Sequence, residues 1–154
     1  MKELKHILEQ VNPIKIIGDT AIAVNELKLD SRKVEKGDVF FAVKGTTADG
    51  HFFIPKVTEQ GASVIVCEEI PSELNAAVVY VQVKDARKTS AIMACNFYDH
   101  PSKKIQLVGV TGTNGKTSVA TLLHQIYVQK NHKSGLLSTI VNKINNEEIP
   151  STHT

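Results

Sequence analysis

The residues whose types and spacing could most directly do chemistry are Gly112-Thr113-Asn114-Gly115-Lys116-Thr117. Glycines three apart let a backbone turn back and aim its N–H groups at one point. A lysine and a hydroxyl residue follow at once. Converging amides with a lysine cation make a cradle for phosphate oxygens, and a threonine hydroxyl at that place is a ligand for Mg²⁺. Gly112, Thr113, Asn114, Gly115, Lys116, Thr117 and Ser118 are therefore the expected ATP-binding residues. Lys116 is the catalytic cation reaching the β and γ phosphates, and Thr117 the metal ligand.

Such a loop works only between a strand and a helix. The apolar run Ile105–Thr111 reads as the strand, and Thr117 to about Lys130 as the helix, with a stripe of Val119, Leu122, Leu123, Ile126 and Tyr127. The uncapped amides and partial positive charge of a helix N-terminus favour an anion there. The strict pattern GxxxxGK(S/T) is not met, because Val110 stands five places before Gly115. Glycines at 109, 112 and 115 do not match GxGxxG either, which disfavours a dinucleotide site. No aspartate occurs from Ser118 to Thr154, although a P-loop nucleotidase uses a carboxylate on a second strand for Mg²⁺. Asn142-Lys143-Ile144-Asn145 resembles a guanine-reading motif, but its last residue is wrong and it lies too near the loop.

Upstream, Leu4, Ile7, Leu8 and Val11 predict a short amphipathic helix over 3–11. Strands are expected at 14–17, 21–24, 27–29 and 38–43, then a polar loop at 44–50 and a helix at 51–60. Residues 62–67 and 77–83 are continuous apolar strands, the pattern of a sheet covered on both faces. Asp85 caps a helix to about Tyr98, with Ala91, Ile92, Cys95 and Tyr98 as its stripe. The polar break 99–104, with Pro101, marks a boundary between domains 1–100 and 103–154. After it come a strand at 136–141, an Asn145-Asn146 turn and a short strand at 147–149. One strand–loop–helix–strand unit cannot cover both faces of its sheet, so the second domain is expected to be incomplete and to expose apolar surface.

The phrase 108–118, Val-Gly-Val-Thr-Gly-Thr-Asn-Gly-Lys-Thr-Ser, resembles the ATP loop of the Mur ligases, which departs from the strict pattern in the same way. Leu29-Asp30-Ser31-Arg32, Gly37-Asp38-Val39-Phe40-Phe41-Ala42, Asp49-Gly50-His51-Phe52-Phe53 and Gly61-Ala62 form a spaced series similar to the family's uridine-nucleotide domain. Ser151-Thr152-His153-Thr154 resembles the approach to its Thr-Thr-Pro substrate segment. The resemblance covers essentially the whole chain. It implies an α/β fold, with a small mixed-sheet uridine-nucleotide domain followed by the first part of a central ATPase domain. It also implies that the chain is the front of a larger ligase, inactive by itself.

Within the family the motifs match the branch that adds a diamino acid, meso-diaminopimelate or L-lysine, to UDP-N-acetylmuramoyl-dipeptide. The branch adding D-Ala-D-Ala, or a stand-alone nucleotide-binding module, is the alternative. The implied reaction uses ATP and Mg²⁺: a carboxylate is phosphorylated to an acyl phosphate, which the incoming amine displaces. The implied substrate-binding residues are Leu29, Ser31, Thr46, Thr47, Ala48, His153 and Thr154. Taken as residues alone, Asp30-Ser31-Arg32 is equally a polar turn with a local ion pair.

Composition bounds the rest. The 154 residues are 42% hydrophobic, with 18 basic and 16 acidic side chains and a net charge of +2. That balance gives no footprint for nucleic acid. No apolar run is long enough to span a bilayer, and the first residues have no signal-peptide core. A cytoplasmic bacterial protein is expected, with Cys67 and Cys95 as buried reduced thiols. His124 and His132 read as surface or satisfied core residues, His6 and His100 as surface. His51 starts a helix, with no role fixed by the sequence.

Overall fold

The structure, a computed structural model, describes residues 1–45 and 48–150. It divides into two compact units, Met1–Ile105 and Gln106–Thr154.

The first unit carries strands β1 (Lys2–Glu3), β2 (Lys15–Ile17), β3 (Ala23–Val24), β4 (Leu27–Lys28), β5 (Val39–Ala42), β6 (Val64–Cys67) and β7 (Val79–Gln82). Its helices are α1 (Leu4–Ile7), α2 (Ile54–Glu59) and α3 (Ala86–Phe97). Five strands form one mixed sheet in the order β2-β7-β6-β5-β4. β4 through β7 run parallel and β2 closes the edge antiparallel. β1 pairs with β3 apart from it.

The apolar runs Val-Phe-Phe-Ala, Val-Ile-Val-Cys and Val-Tyr-Val lie in the sheet interior because helices cover both faces. Strand periodicity then splits them into two cores. Val39, Phe41, Val64, Val66, Val79 and Val81 pack on one face with Leu4 and Ile7 of α1 and Ala86 and Met93 of α3. Phe40, Ala42, Ile65, Cys67 and Tyr80 pack on the other with Ile54 and Val57 of α2. Burial pushes the Cys67 thiol up to about 11, so it stays protonated and inert.

Two expectations here need correction. The Asp85 carboxylate does cap α3, accepting from the Lys88 amide at 2.8 Å, but the buried residues are Ala86, Thr89 and Met93, with Phe97 half-buried. Cys95 and Tyr98 are exposed. The series 86, 89, 93, 97 also has helical spacing, and its small first member lets the helix approach the strands. It wins over the face carrying Cys95, so only one of the two thiols is buried.

The second unit consists of α4 (Lys116–Gln129) and strands β8 (Gly135–Leu136), β9 (Val141–Ile144) and β10 (Glu147–Pro150). The strands form an antiparallel sheet in the order β10-β9-β8. Asn145, at a left-handed φ of 52°, turns β9 into β10. His124 is the buried polar residue of this unit. Its Nε2–H donates to the Asn145 carbonyl at 2.9 Å and its Nδ1 accepts from the Ser134 hydroxyl at 3.0 Å. It is a satisfied core histidine joining helix to hairpin.

The expected strand Ile105–Thr111 forms no ladder among the described residues. A strand is held by hydrogen bonds to a neighbour, and this unit offers it none. Ile105, Leu107 and Val108 are exposed. The expected strand 136–141 is instead two short strands, separated at 137–140. Val119, Leu122 and Ile126 do share one face of α4, but that face is exposed, at 49%, 58% and 50%.

Candidate functional site

β4 and β5 are parallel neighbours, so the chain leaves both at the same edge of the sheet. In open α/β sheets that carboxyl edge is where ligands bind. A cavity of about 660 Å³ lies there. Leu29, which directly follows β4, lines it with Ser31 and Ala48. Residues separated by up to nineteen positions in sequence thus meet in one cavity. Thr46 and Thr47 fall outside the described residues, as do His153 and Thr154.

Each wall has a local cause. Asp30 caps the 3₁₀ turn Ser31–Lys33 by accepting from the Arg32 amide at 3.0 Å. The Arg32 side chain closes on the same carboxylate through Nε at 2.9 Å and Nη2 at 2.8 Å. That bidentate pair holds the Asp30 carboxyl well below the usual carboxylate range. The turn carries Ser31 into the wall, where it is 8% exposed. Asp38 of the Gly-Asp-Val-Phe series lies away from the cavity lining. Buried, it accepts from the Glu35 amide at 3.0 Å and shapes the turn into β5.

The other wall is the loop after β5. Gly45 N–H donates to the Ala48 carbonyl at 2.9 Å, and Gly50 N–H to the Val43 carbonyl at 2.9 Å. Gly50 is required by space: a Cβ there would lie 2.7 Å from Val43 N and 2.8 Å from its oxygen. Asp49 accepts from both the amide and the Nδ1 of His51, at 2.9 and 2.6 Å, and its carboxyl is lowered mainly by the amide.

Phe53, named in the sequence only as the end of the Asp49–Phe53 segment and given no role, and Lys56, which sequence reasoning did not single out, also line the cavity. Phe53 is a half-exposed aromatic face, and Lys56 is the third residue of α2. Their place three residues apart at a helix start was the available signal. A cavity with an aromatic face, a serine, the paired Asp30 and Arg32 and the cation of Lys56 can accept a planar base joined to an anionic group.

The second unit holds the glycine loop. Gly115 is the residue before α4, at φ 76°, with no side-chain cap on the helix. A Cβ at 115 would meet nothing within 4 Å, so glycine is needed there for its dihedral and not for space. The first amides of a fourteen-residue helix are left to an outside acceptor. Lys116 Nζ folds over the loop, donating to the Gly112 carbonyl at 2.6 Å and the Thr113 carbonyl at 3.2 Å. Thr117 is half-buried in the first helical turn, while Thr113, Asn114 and Ser118 are exposed. These residues fit a polyphosphate: uncapped amides, a lysine over the loop, and a hydroxyl for a phosphate-bound Mg²⁺. No cluster of three His, Cys, Asp or Glu side chains able to hold a metal by itself occurs among the described residues. No helix among them is long and apolar enough to cross a membrane.

Residues 23–98 match the family described as "Mur ligase family, catalytic domain", and residues 110–154 match "Mur ligase middle domain". The UDP-N-acetylmuramoyl-L-alanyl-D-glutamate–2,6-diaminopimelate ligase of Bacteroides fragilis is 47% identical over 99% of this chain. The ligase of that name from Cytophaga hutchinsonii is 46% identical, also over 99%. This chain spans 31% and 32% of those two relatives. Among solved structures, the MurF ligase of Thermotoga maritima in complex with ADP is 31% identical, with a TM-score of 0.56, over 72% of this chain and 24% of that one. A UDP-N-acetylmuramoyl-L-alanyl-D-glutamate–2,6-diaminopimelate ligase shares the fold at a TM-score of 0.72 and 22% identity, over 96% of this chain and 30% of that one.

Proposed function

We propose that this chain, which belongs to the Mur ligase family, supplies the uridine-nucleotide pocket and the ATP loop of a cytoplasmic ligase. That ligase joins a diamino acid, meso-diaminopimelate in the first instance and L-lysine otherwise, to UDP-N-acetylmuramoyl-L-alanyl-D-glutamate. The observation that carries the reading is the meeting of Leu29, Ser31 and Ala48 in one cavity at the carboxyl edge of the sheet. The diaminopimelate relatives, at 46–47% identity, support the choice of branch.

In this reading, residues 1–100 form the substrate domain and 103–154 begin the ATP-binding domain. Leu29, Ser31, Ala48 and the neighbouring Thr46 and Thr47 hold the uridine end. Phe53 offers a face to the base, and Lys56 and Arg32 face the diphosphate. His153 and Thr154 contact the muramoyl-peptide part. The Gly112–Ser118 amides and Lys116 hold the ATP phosphates, with Mg²⁺ at Thr117. ATP supplies the phosphoryl group that makes the glutamyl carboxylate an electrophile. The chain's own part is to fix that group in line and offset its charge. Lys116 now donates to loop carbonyls and would turn the same donors toward phosphate oxygens.

The test is ligation by the full-length gene product, with UDP-N-acetylmuramoyl-L-alanyl-D-glutamate, ATP, Mg²⁺ and each candidate amino acid. Diaminopimelate-dependent product and phosphate release are expected. Ligation of D-Ala-D-Ala to the tripeptide nucleotide, with none of diaminopimelate or lysine, would overturn the branch assignment.

A further inference from the structure

His51 stands in the chain between the pocket-lining Gly50 and Phe53, and the reading above leaves it without a task. Its side chain is 14% exposed. Nδ1 lies 2.6 Å from Asp49 Oδ1, and Nε2 receives the amides of Glu68 at 3.0 Å and Glu69 at 3.3 Å. Two amides can only donate, so Nε2 carries no proton, and the ring hydrogen sits on Nδ1, aimed at the carboxylate. Glu68 and Glu69 directly follow β6, the parallel neighbour of β5. The ring therefore joins the loop leaving β5 to the backbone leaving β6, at the edge where the cavity lies. Lys44 makes a second tie between the same segments, with Nζ 2.6 Å from Glu69 Oε1 and 4.0 Å from Glu68 Oε2. Between Lys44 and His51 stand Ala48 and Gly50, which line the cavity.

We propose that His51, as its neutral Nδ1–H tautomer, is a positioning residue that fixes the 44–50 loop against the end of β6 and so sets the affinity of the pocket for a uridine nucleotide. The proposal rests on the uridine reading of that pocket. The two amides need an acceptor at the Nε2 position, and without one the loop loses its tie to β6. Glutamine can place an amide oxygen near that position and accept the two N–H groups.

The experiment titrates the full chain and its His51→Ala and His51→Gln variants with UDP by calorimetry under one set of conditions. Amide spectra of Gly45, Ala48, Gly50, Glu68 and Glu69 are followed in the absence of ligand. His51→Ala should weaken UDP binding on the order of tenfold, since two partly buried amides lose their acceptor. It should also shift or broaden the loop amides. His51→Gln should bind near the wild-type level and restore the loop amides. Wild-type affinity and unchanged loop amides in His51→Ala would overturn the proposal, as would a His51→Gln variant that binds as weakly as His51→Ala. If wild type does not bind UDP, the uridine reading fails. The loop amides still judge the positioning role: perturbed in His51→Ala and restored in His51→Gln, they uphold it, and unperturbed they end it.

Discussion

A single methyl group at Gly50 should separate the pocket loop from its strand. A Cβ there would lie 2.7 Å from Val43 N, 2.8 Å from Val43 O and 3.0 Å from the Ala42 carbonyl carbon. All three are backbone atoms at the end of β5, so no side chain can swing aside. Forcing extra volume into such a site costs about 1–3 kcal/mol. Replacing glycine by alanine returns about 0.4–1 kcal/mol through the unfolded chain. The net expectation for Gly50→Ala is a loss of about 1–2 kcal/mol, or about 4–15 °C in Tm for a unit of this size. The strain falls on the Gly50 N–H to Val43 O bond that closes the loop, so UDP affinity should fall with stability. Gly135→Ala is the control: the nearest atom to its added Cβ is Lys143 O at 3.7 Å, an ordinary contact. Thermal melts and UDP calorimetry on the three proteins provide the assay. Gly50→Ala with unchanged Tm and UDP affinity would refute the claim that the loop needs glycine for its close approach to β5.

Lys116→Ala should abolish ligation in the full-length protein with little change in Tm, because the side chain is exposed and bonds only to two loop carbonyls; near-normal turnover would refute its role. His124→Ala should destabilise the second unit by about 1–3 kcal/mol, through the unpaired Asn145 carbonyl and Ser134 hydroxyl, read as faster hydrogen exchange of the hairpin; unchanged exchange would count against it. Asp30 and Asp49 both have lowered carboxyls. The stability they contribute is therefore present above the ordinary carboxylate value of about 4 and lost as pH falls from there toward their folded values. Amide spectra of the two turns should hold down to about pH 4 and change below it, whereas a turn that loosens near neutral pH would contradict these bonds.

Sequence legibility followed how local each determinant was. The continuous apolar runs at 62–67 and 77–83 announced strands covered on both faces, and the structure has a core on each side of β6 and β7. The Asp85 cap and the Asp30–Arg32 ion pair are contacts within three residues and could be read directly. The buried face of α3 could not. The sets around Cys95 and around Met93 are both helically spaced, and only contact with the sheet decides between them. The strand at 105–111 shows the converse: apolar residues suffice to suggest a strand, but the partner that would hold it is not a property of the segment. At the cavity, Leu29, Ser31 and Ala48 were implied by the family resemblance, and their residue types alone would not have set them apart from an ordinary polar turn and loop. That Phe53 and Lys56 line the cavity became visible only when α2 was seen to start beside the loop, and what His51 holds only through its bonds to residues seventeen and eighteen positions away.

The central claim, that the carboxyl-edge cavity is a uridine-nucleotide pocket, is tested most directly by titrating the isotope-labelled chain with UDP and mapping amide shift changes. Saturable changes should concentrate at Leu29, Ser31, Arg32, Ala48 and Gly50, and Ser31→Ala should weaken them. No change at these residues at millimolar UDP, or changes confined to other surfaces, would contradict the account.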